Sequence, residues 1–208
     1  GAYSSENSKY RNWFCFKGSR ENYDSWWGIK ILPRLNHAND ECRRYFTGKN
    51  GVGAEYIKQG IGGWRLDVAD ELPEDFIIAL RSTVKKNNKE NIVIGEVWED
   101  ASNKESYGVK RLYLCGKQLD SVMNYPLRSA LIDFSKNYID ALEFSERLMS
   151  IKENYPSPAY YSLLNILSSH DVERILTAVS NAPQSDDRNF MAEYRLNEKD
   201  IEKKKKKV

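Results

Sequence analysis

Three short apolar runs in this chain each end on titratable side chains, and that repeated ending constrains the fold more than any other feature. Ile61 to Leu66 runs into Asp67, Asn91 to Gly95 runs into Glu96, and Leu163 to Leu167 runs through Ser168 and Ser169 into His170 and Asp171. The first two runs start about 30 residues apart with a helical pattern between them, the length of one βαβ unit. Residues two apart on a strand share a face, so Arg65 and Asp67 lie on one side and Trp64, Leu66 and Val68 on the other. Opposite charges inside a buried strand are costly unless they pair. Arg65 can hold Asp67 ionised and fix its direction, which is how a carboxylate nucleophile is prepared. Taken alone, the same pair also reads as a structural ion pair at a strand end.

The segments between these runs read as helices and loops. Residues 1–50 are rich in Tyr and Trp without clear periodicity and are expected to be irregular. Their aromatics read as sugar-stacking platforms or as ordinary core residues, and His37 as a surface loop residue. Val52 to Gln59 predicts a short helix closed by Gly60. Pro73 predicts a helix start, with Glu74 and Asp75 at its positive end, Lys85 and Lys86 at the other, and Phe76, Ile77, Leu80 and Val84 as its apolar face. Asp100 to Gly116 reads as polar loop, and Leu119 to Pro126 as a strand ended by its proline. Leu127 to Asn137 and Glu143 to Asn154 read as amphipathic helices, 162–169 as a strand, and Val172 to Val179 as the start of a helix. Strands alternating with helices imply an α/β fold with parallel strands and right-handed crossovers.

Composition excludes several classes. Hydrophobic residues at 40% and charged residues at 30% are globular values. A net charge of +2, with basic residues dispersed except at the C-terminus, gives no footprint for nucleic acid. Cys15, Cys42 and Cys115 are an odd number without close spacing, which suits free thiols in a reducing compartment. No His/Cys cluster suggests a metal. The start Gly1-Ala2-Tyr3 lacks the basic and apolar regions of a signal peptide, and no apolar run approaches a membrane span. A cytoplasmic location without membrane contact is the expectation for this chain.

The stretches GWRLDVADEL, GEVWED and SSHDVERIL, in this order, resemble three of the four signature regions of the α-amylase family of glycoside hydrolases (family 13). The first of them, with Trp26-Trp27-Gly28 through Leu32-Pro33-Arg34-Leu35-Asn36, is most similar to the neopullulanase, cyclomaltodextrinase and maltogenic amylase branch. The resemblance covers roughly residues 1–190 and implies a partial (β/α)8 TIM barrel, about strands four to seven with their helices. A complete barrel typically needs about 250 residues, so the sequence is expected to be a fragment of an enzyme. Residues 191–208 leave the pattern, and the run Lys203 to Lys207 predicts a charged, disordered tail.

The resemblance implies roles for six residues. Asp67 would be the nucleophile, Glu96 the general acid and then base, and Asp171 the stabiliser of the oxocarbenium-like transition state. Arg65, His170 and Trp98 would contact the substrate or steady the nucleophile. Asp171 and His170 taken alone also read as a helix N-cap and its neighbour. The first signature region is absent; it supplies an Asp, a sugar-contacting His and often a calcium-ligating Asn. No cofactor is therefore assigned, and calcium is kept only as one the parent family can bind.

The expected substrate is an α-1,4-linked glucan: maltooligosaccharides, cyclodextrins or pullulan. An oligo-1,6-glucosidase and a transglycosylase stay open as relatives with the same trio. Another class is a truncated remnant that binds glucans without cleaving them. A nucleic-acid binder would rest on the lysine tail alone. Open strand edges and apolar faces of a partial barrel also predict a homo-oligomer, weak solubility or low activity.

Overall fold

The computed structural model describes residues 1–180, 182, 183, 185 and 187–197. The Lys203 to Lys207 tail lies outside the described residues. The chain divides into two compact units, Gly1–Glu96 with Glu105–Ser121, and Val97–Lys104 with the residues from Val122 onward.

The first unit opens with a small antiparallel pair, β1 (Phe16–Lys17) and β2 (Ser19–Tyr23), and continues with helices α1 (Asp40–Thr47) and α2 (Val52–Lys58). The expectation of an irregular first 50 residues therefore misses α1. Its start signal is the Asn39 side chain, which accepts the Cys42 backbone N–H at 2.9 Å, with Asp40 and Glu41 in the first turn. Few of its residues are apolar, and only Cys42 and Thr47 are buried, so no periodic stripe announces it. His37 also departs from expectation: it is half-buried, its ring 4.7 Å from that of Phe76.

Strand β3 (Gly63–Leu66), helix α3 (Glu74–Asn87) and strand β4 (Ile92–Gly95) form a βαβ unit with β3 and β4 in parallel register. The predicted apolar face of α3 holds: Phe76, Ile77, Leu80 and Val84 are all buried. Close backbone approach explains Gly63, where a Cβ would lie 2.0 Å from the Ile92 carbonyl oxygen. A carboxylate ties the helix to the strand. Asp120 receives Arg81 Nη2 at 2.8 Å, Lys85 Nζ at 3.0 Å and the Val93 backbone N–H at 2.8 Å. The segment read as polar loop carries a hairpin, β5 (Glu105–Ser106) with β6 (Val109–Lys110), followed by buried Arg111, Tyr113 and Leu114.

In the second unit β7 (Ser121–Asn124) pairs in parallel with β8 (Leu164–Asn165) through Met123↔Leu164 and Asn124↔Asn165. Helices α4 (Tyr125–Ser135), α5 (Ala141–Asn154) and α6 (Ser157–Tyr161) join them. Pro126 lies in the first turn of α4 rather than ending the strand, because Asn124 caps the helix by accepting the Leu127 N–H at 3.1 Å. The Tyr155 hydroxyl accepts the Ala101 N–H at 2.9 Å, and burial pushes its pKa up to about 12. The predicted strand over 162–169 shrinks to two residues, with Leu164 and Leu167 exposed. Helix α7 (Ile175–Val179) and helix α8 (Arg188–Glu193) complete the described chain. Among the described residues no helix is long and apolar enough to cross a membrane.

Candidate active site

Parallel pairing sets Leu66 opposite Gly95, so the residues that follow them, Asp67 and Glu96, emerge from neighbouring strand ends. One guanidinium joins the two carboxylates. Arg65 Nη1 pairs with Asp67 Oδ1, and Arg65 Nη2 lies 2.9 Å from Glu96 Oε2. The planar fork of arginine suits this double contact, which a single ammonium could not reproduce. The Glu96 side chain is only 4% exposed, whereas that of Asp67 is 70% exposed. Asp67 is thus open to an incoming molecule, while Glu96 is withdrawn from water within the same unit.

The turn after β3 is built around Glu96. Val68 takes a left-handed conformation, φ 41° and ψ 63°, which costs a β-branched residue about 1–3 kcal/mol. In that conformation its N–H donates to Glu96 Oε2 at 2.8 Å, and the Ala69 N–H donates to the Glu96 carbonyl at 3.1 Å. A side chain at Gly95 would meet Leu119 Cδ1 at 2.4 Å and would have to displace that buried leucine.

The segment 111–113 braces the turn from the other side. Buried Arg111 donates through Nη2 to the carbonyls of Ala69 at 3.3 Å and Leu72 at 2.7 Å. The Tyr113 hydroxyl donates to Asp70 Oδ1 at 2.6 Å; burial first, and then this bond, raise its pKa far above the ordinary tyrosine value. Reading 100–116 as polar loop overlooks both residues. Their signal was an Arg and a Tyr set among Leu112 and Leu114, a mixed pattern that neither strand nor helix periodicity picks out.

In the second unit the remaining three predicted residues share a chain of contacts. Trp98 stacks on Tyr125, centroids 4.4 Å apart and planes 9° from parallel. The Tyr125 hydroxyl lies 3.4 Å from Ser169 Oγ, which accepts the Asp171 N–H at 3.1 Å. His170 Nε2 sits 3.2 Å from Asp171 Oδ2. Buried Arg128 holds the loop that carries them, donating to the Leu167 carbonyl at 3.0 Å and the Glu173 carbonyl at 2.9 Å. Neither His170 nor Asp171 caps a helix, since the N-cap of α7 is Arg174. Among the described residues no three His, Cys, Asp or Glu side chains gather as a metal site.

The model of the alpha amylase catalytic domain matches residues 3–197 of this chain. The chain belongs to the α-amylase family. A cyclomaltodextrinase from Geobacillus thermopakistaniensis is 36% identical over 178 residues, covering 82% of this chain and 28% of the relative. Neopullulanase 2 from Thermoactinomyces vulgaris is 37% identical over 181 residues, covering 83% of this chain and 29% of the relative. Among solved structures, the cyclic alpha-maltosyl-(1→6)-maltose hydrolase from Arthrobacter globiformis in complex with maltose matches with a TM-score of 0.76 at 30% identity, covering 86% of this chain and 40% of that one. The debranching enzyme from Nostoc punctiforme matches with a TM-score of 0.74 at 29% identity, over 86% of this chain and 40% of that one. These amylase-family enzymes are (β/α)8 barrels, and this α/β chain covers part of one, as the signature stretches implied. It spans about three tenths of the length of the two curated relatives.

Proposed function

We propose that this chain carries the catalytic residues of a retaining glycoside hydrolase acting on α-1,4-linked glucans. The observation that carries the reading is the Arg65 guanidinium shared between exposed Asp67 and buried Glu96 at adjacent strand ends. Barrel enzymes place their catalytic groups at the C-terminal ends of strands. A retaining glycosidase needs one ionised carboxylate to attack and one carboxylic acid to protonate.

In the first step Asp67 attacks the anomeric carbon. The bond to the leaving oxygen breaks as Glu96 gives that oxygen its proton. In the second step Glu96 takes a proton from water, the water oxygen attacks the same carbon, and Asp67 departs as carboxylate. Arg65 fixes the direction of the Asp67 carboxylate, and the Val68 N–H orients the Glu96 carboxyl. Asp171 and His170 would hold sugar hydroxyls, and Trp98 would offer a ring face to a sugar. Residues 1–190 are proposed as part of the catalytic barrel and 191–208 as a tail. The names of the relatives support maltooligosaccharides, cyclodextrins and pullulan as the substrate class.

Hydrolysis of a chromogenic maltooligosaccharide by the purified chain tests this reading. Glu96→Gln should lower kcat by about 10²–10⁴-fold, the range that general acid–base catalysis supplies. Equal, negligible rates in a folded sample would count against turnover and favour a glucan-binding remnant.

A further inference from the structure

A groove of about 590 Å³ opens in the first unit between the second half of α3 and the segment around Gly116 and Lys117. Lys89, on its wall, precedes β4, whereas Asp67 and Glu96 follow β3 and β4. Groove and carboxylate pair therefore lie at opposite ends of these two parallel strands. Five cations line the groove, namely Arg81, Lys85, Lys86, Lys89 and Lys117, and no acidic residue does. One carboxylate reaches them from behind: Asp120 takes Arg81 Nη2 at 2.8 Å and Lys85 Nζ at 3.0 Å. Lys86, Lys89 and Lys117 are exposed and pair with no carboxylate among the described residues. Five cations against one carboxylate leave a local surplus of four positive charges, on a chain whose net charge is only +2. Lysines at a helix end complement its dipole, which accounts for Lys85 and Lys86. It does not account for Lys89 and Lys117, which two other segments bring to the same wall. A concave surface of one sign focuses the field and gathers counter-ions.

We infer that this groove is a binding site for a phosphoryl anion, of the kind carried by inorganic oligophosphates and by sugar phosphates. Lysine ammoniums serve phosphate oxygens as point charges, and the Ser82 hydroxyl and Asn88 side-chain amide on the same walls supply neutral donors. The volume lies in the range of small-molecule sites. A nucleic-acid strand would ask for rings on which its bases stack, and no aromatic side chain lines the groove. An acidic protein would ask for aromatic or apolar anchors, and Ile78 is the one large apolar side chain on the walls. An anion held here leaves Asp67 and Glu96 open, so its binding is measured independently of any turnover.

The test is calorimetric titration of the full chain with sodium tripolyphosphate in one arm and glucose 1-phosphate in the other, at physiological ionic strength. The tighter of the two identifies the source of the phosphoryl group. The triple variant Lys86→Gln, Lys89→Gln, Lys117→Gln should weaken that binding about tenfold or more, since each lost ammonium removes a charge-assisted hydrogen bond. A control triple, Lys9→Gln, Lys49→Gln, Lys110→Gln, removes the same charge from exposed positions outside the groove and should bind within about twofold of the parent. Replacing the three groove lysines by Arg keeps the charge and should retain the affinity, which guards against a Gln triple that folds poorly. No binding of either anion by the folded parent would overturn the site. So would parental affinity in the groove triple, which would move the binding to another basic stretch such as Lys203 to Lys207. Equal losses in the Gln triple and the control triple would also overturn it, as an effect of net charge alone.

Discussion

At the scale of residues, Arg65 carries the heaviest demand, because its two nitrogens serve two carboxylates of different exposure. Lysine keeps the charge but not the fork. Arg65→Lys should therefore lower kcat/KM by about 10²-fold, the loss expected when reacting groups are misplaced by about an ångström. Its thermal midpoint should stay close to that of the parent. A variant of full activity would remove the shared guanidinium from the account. A second residue gives a pH signature. Burial, and then the Arg34 charge, hold the His37 imidazole below its ordinary value of 6.5, with Asp75 pulling the other way. Just below that pH the unfolded chain binds a proton that the folded chain does not, so this part of stability is complete above 6.5 and lost as pH falls. Thermal midpoints should decline as the pH drops below about 6.5, and His37→Gln should flatten that part of the slope.

At the scale of elements, the βαβ unit of β3, α3 and β4 depends on one carboxylate bridging helix and strand. Asp120→Ala would leave Arg81 and Lys85 without that partner and the Val93 N–H without an acceptor. It should cost about 3–5 kcal/mol, measured by urea unfolding of the chain. The elements readable in the sequence were those whose signals agree. Helix α3 has Pro73 ahead of it, acids first, lysines last and an apolar face at 3.6-residue spacing, and it lies where those signals put it. Strands β3 and β4 were legible because apolar runs ended on charge. Helix α1 was missed, since one Asn cap without an apolar stripe is a weak signal. The strand over 162–169 was read too long, because apolar residues alone do not say whether a partner strand covers them. Alternation put Arg65 and Asp67 on one face, and the family resemblance joined Glu96 to them. Arg111, Tyr113 and Arg128 could not be read in either way: each is a buried polar group whose partners are backbone carbonyls or an acid tens of residues away. Only the folded chain shows those partners.

At the scale of the whole molecule, family membership and fold follow from a match across residues 3–197. The proposed turnover rests on two carboxylates sharing one arginine. The measurement that tests this most directly is trapping the covalent intermediate on the purified chain. The Glu96→Gln variant would be incubated with α-maltosyl fluoride, whose leaving group needs no acid, and digested for mass spectrometry. The account predicts a maltosyl adduct on the peptide containing Asp67, absent from an Asp67→Asn control. An adduct on another carboxylate, or steady release of inverted maltose with no adduct, would contradict it.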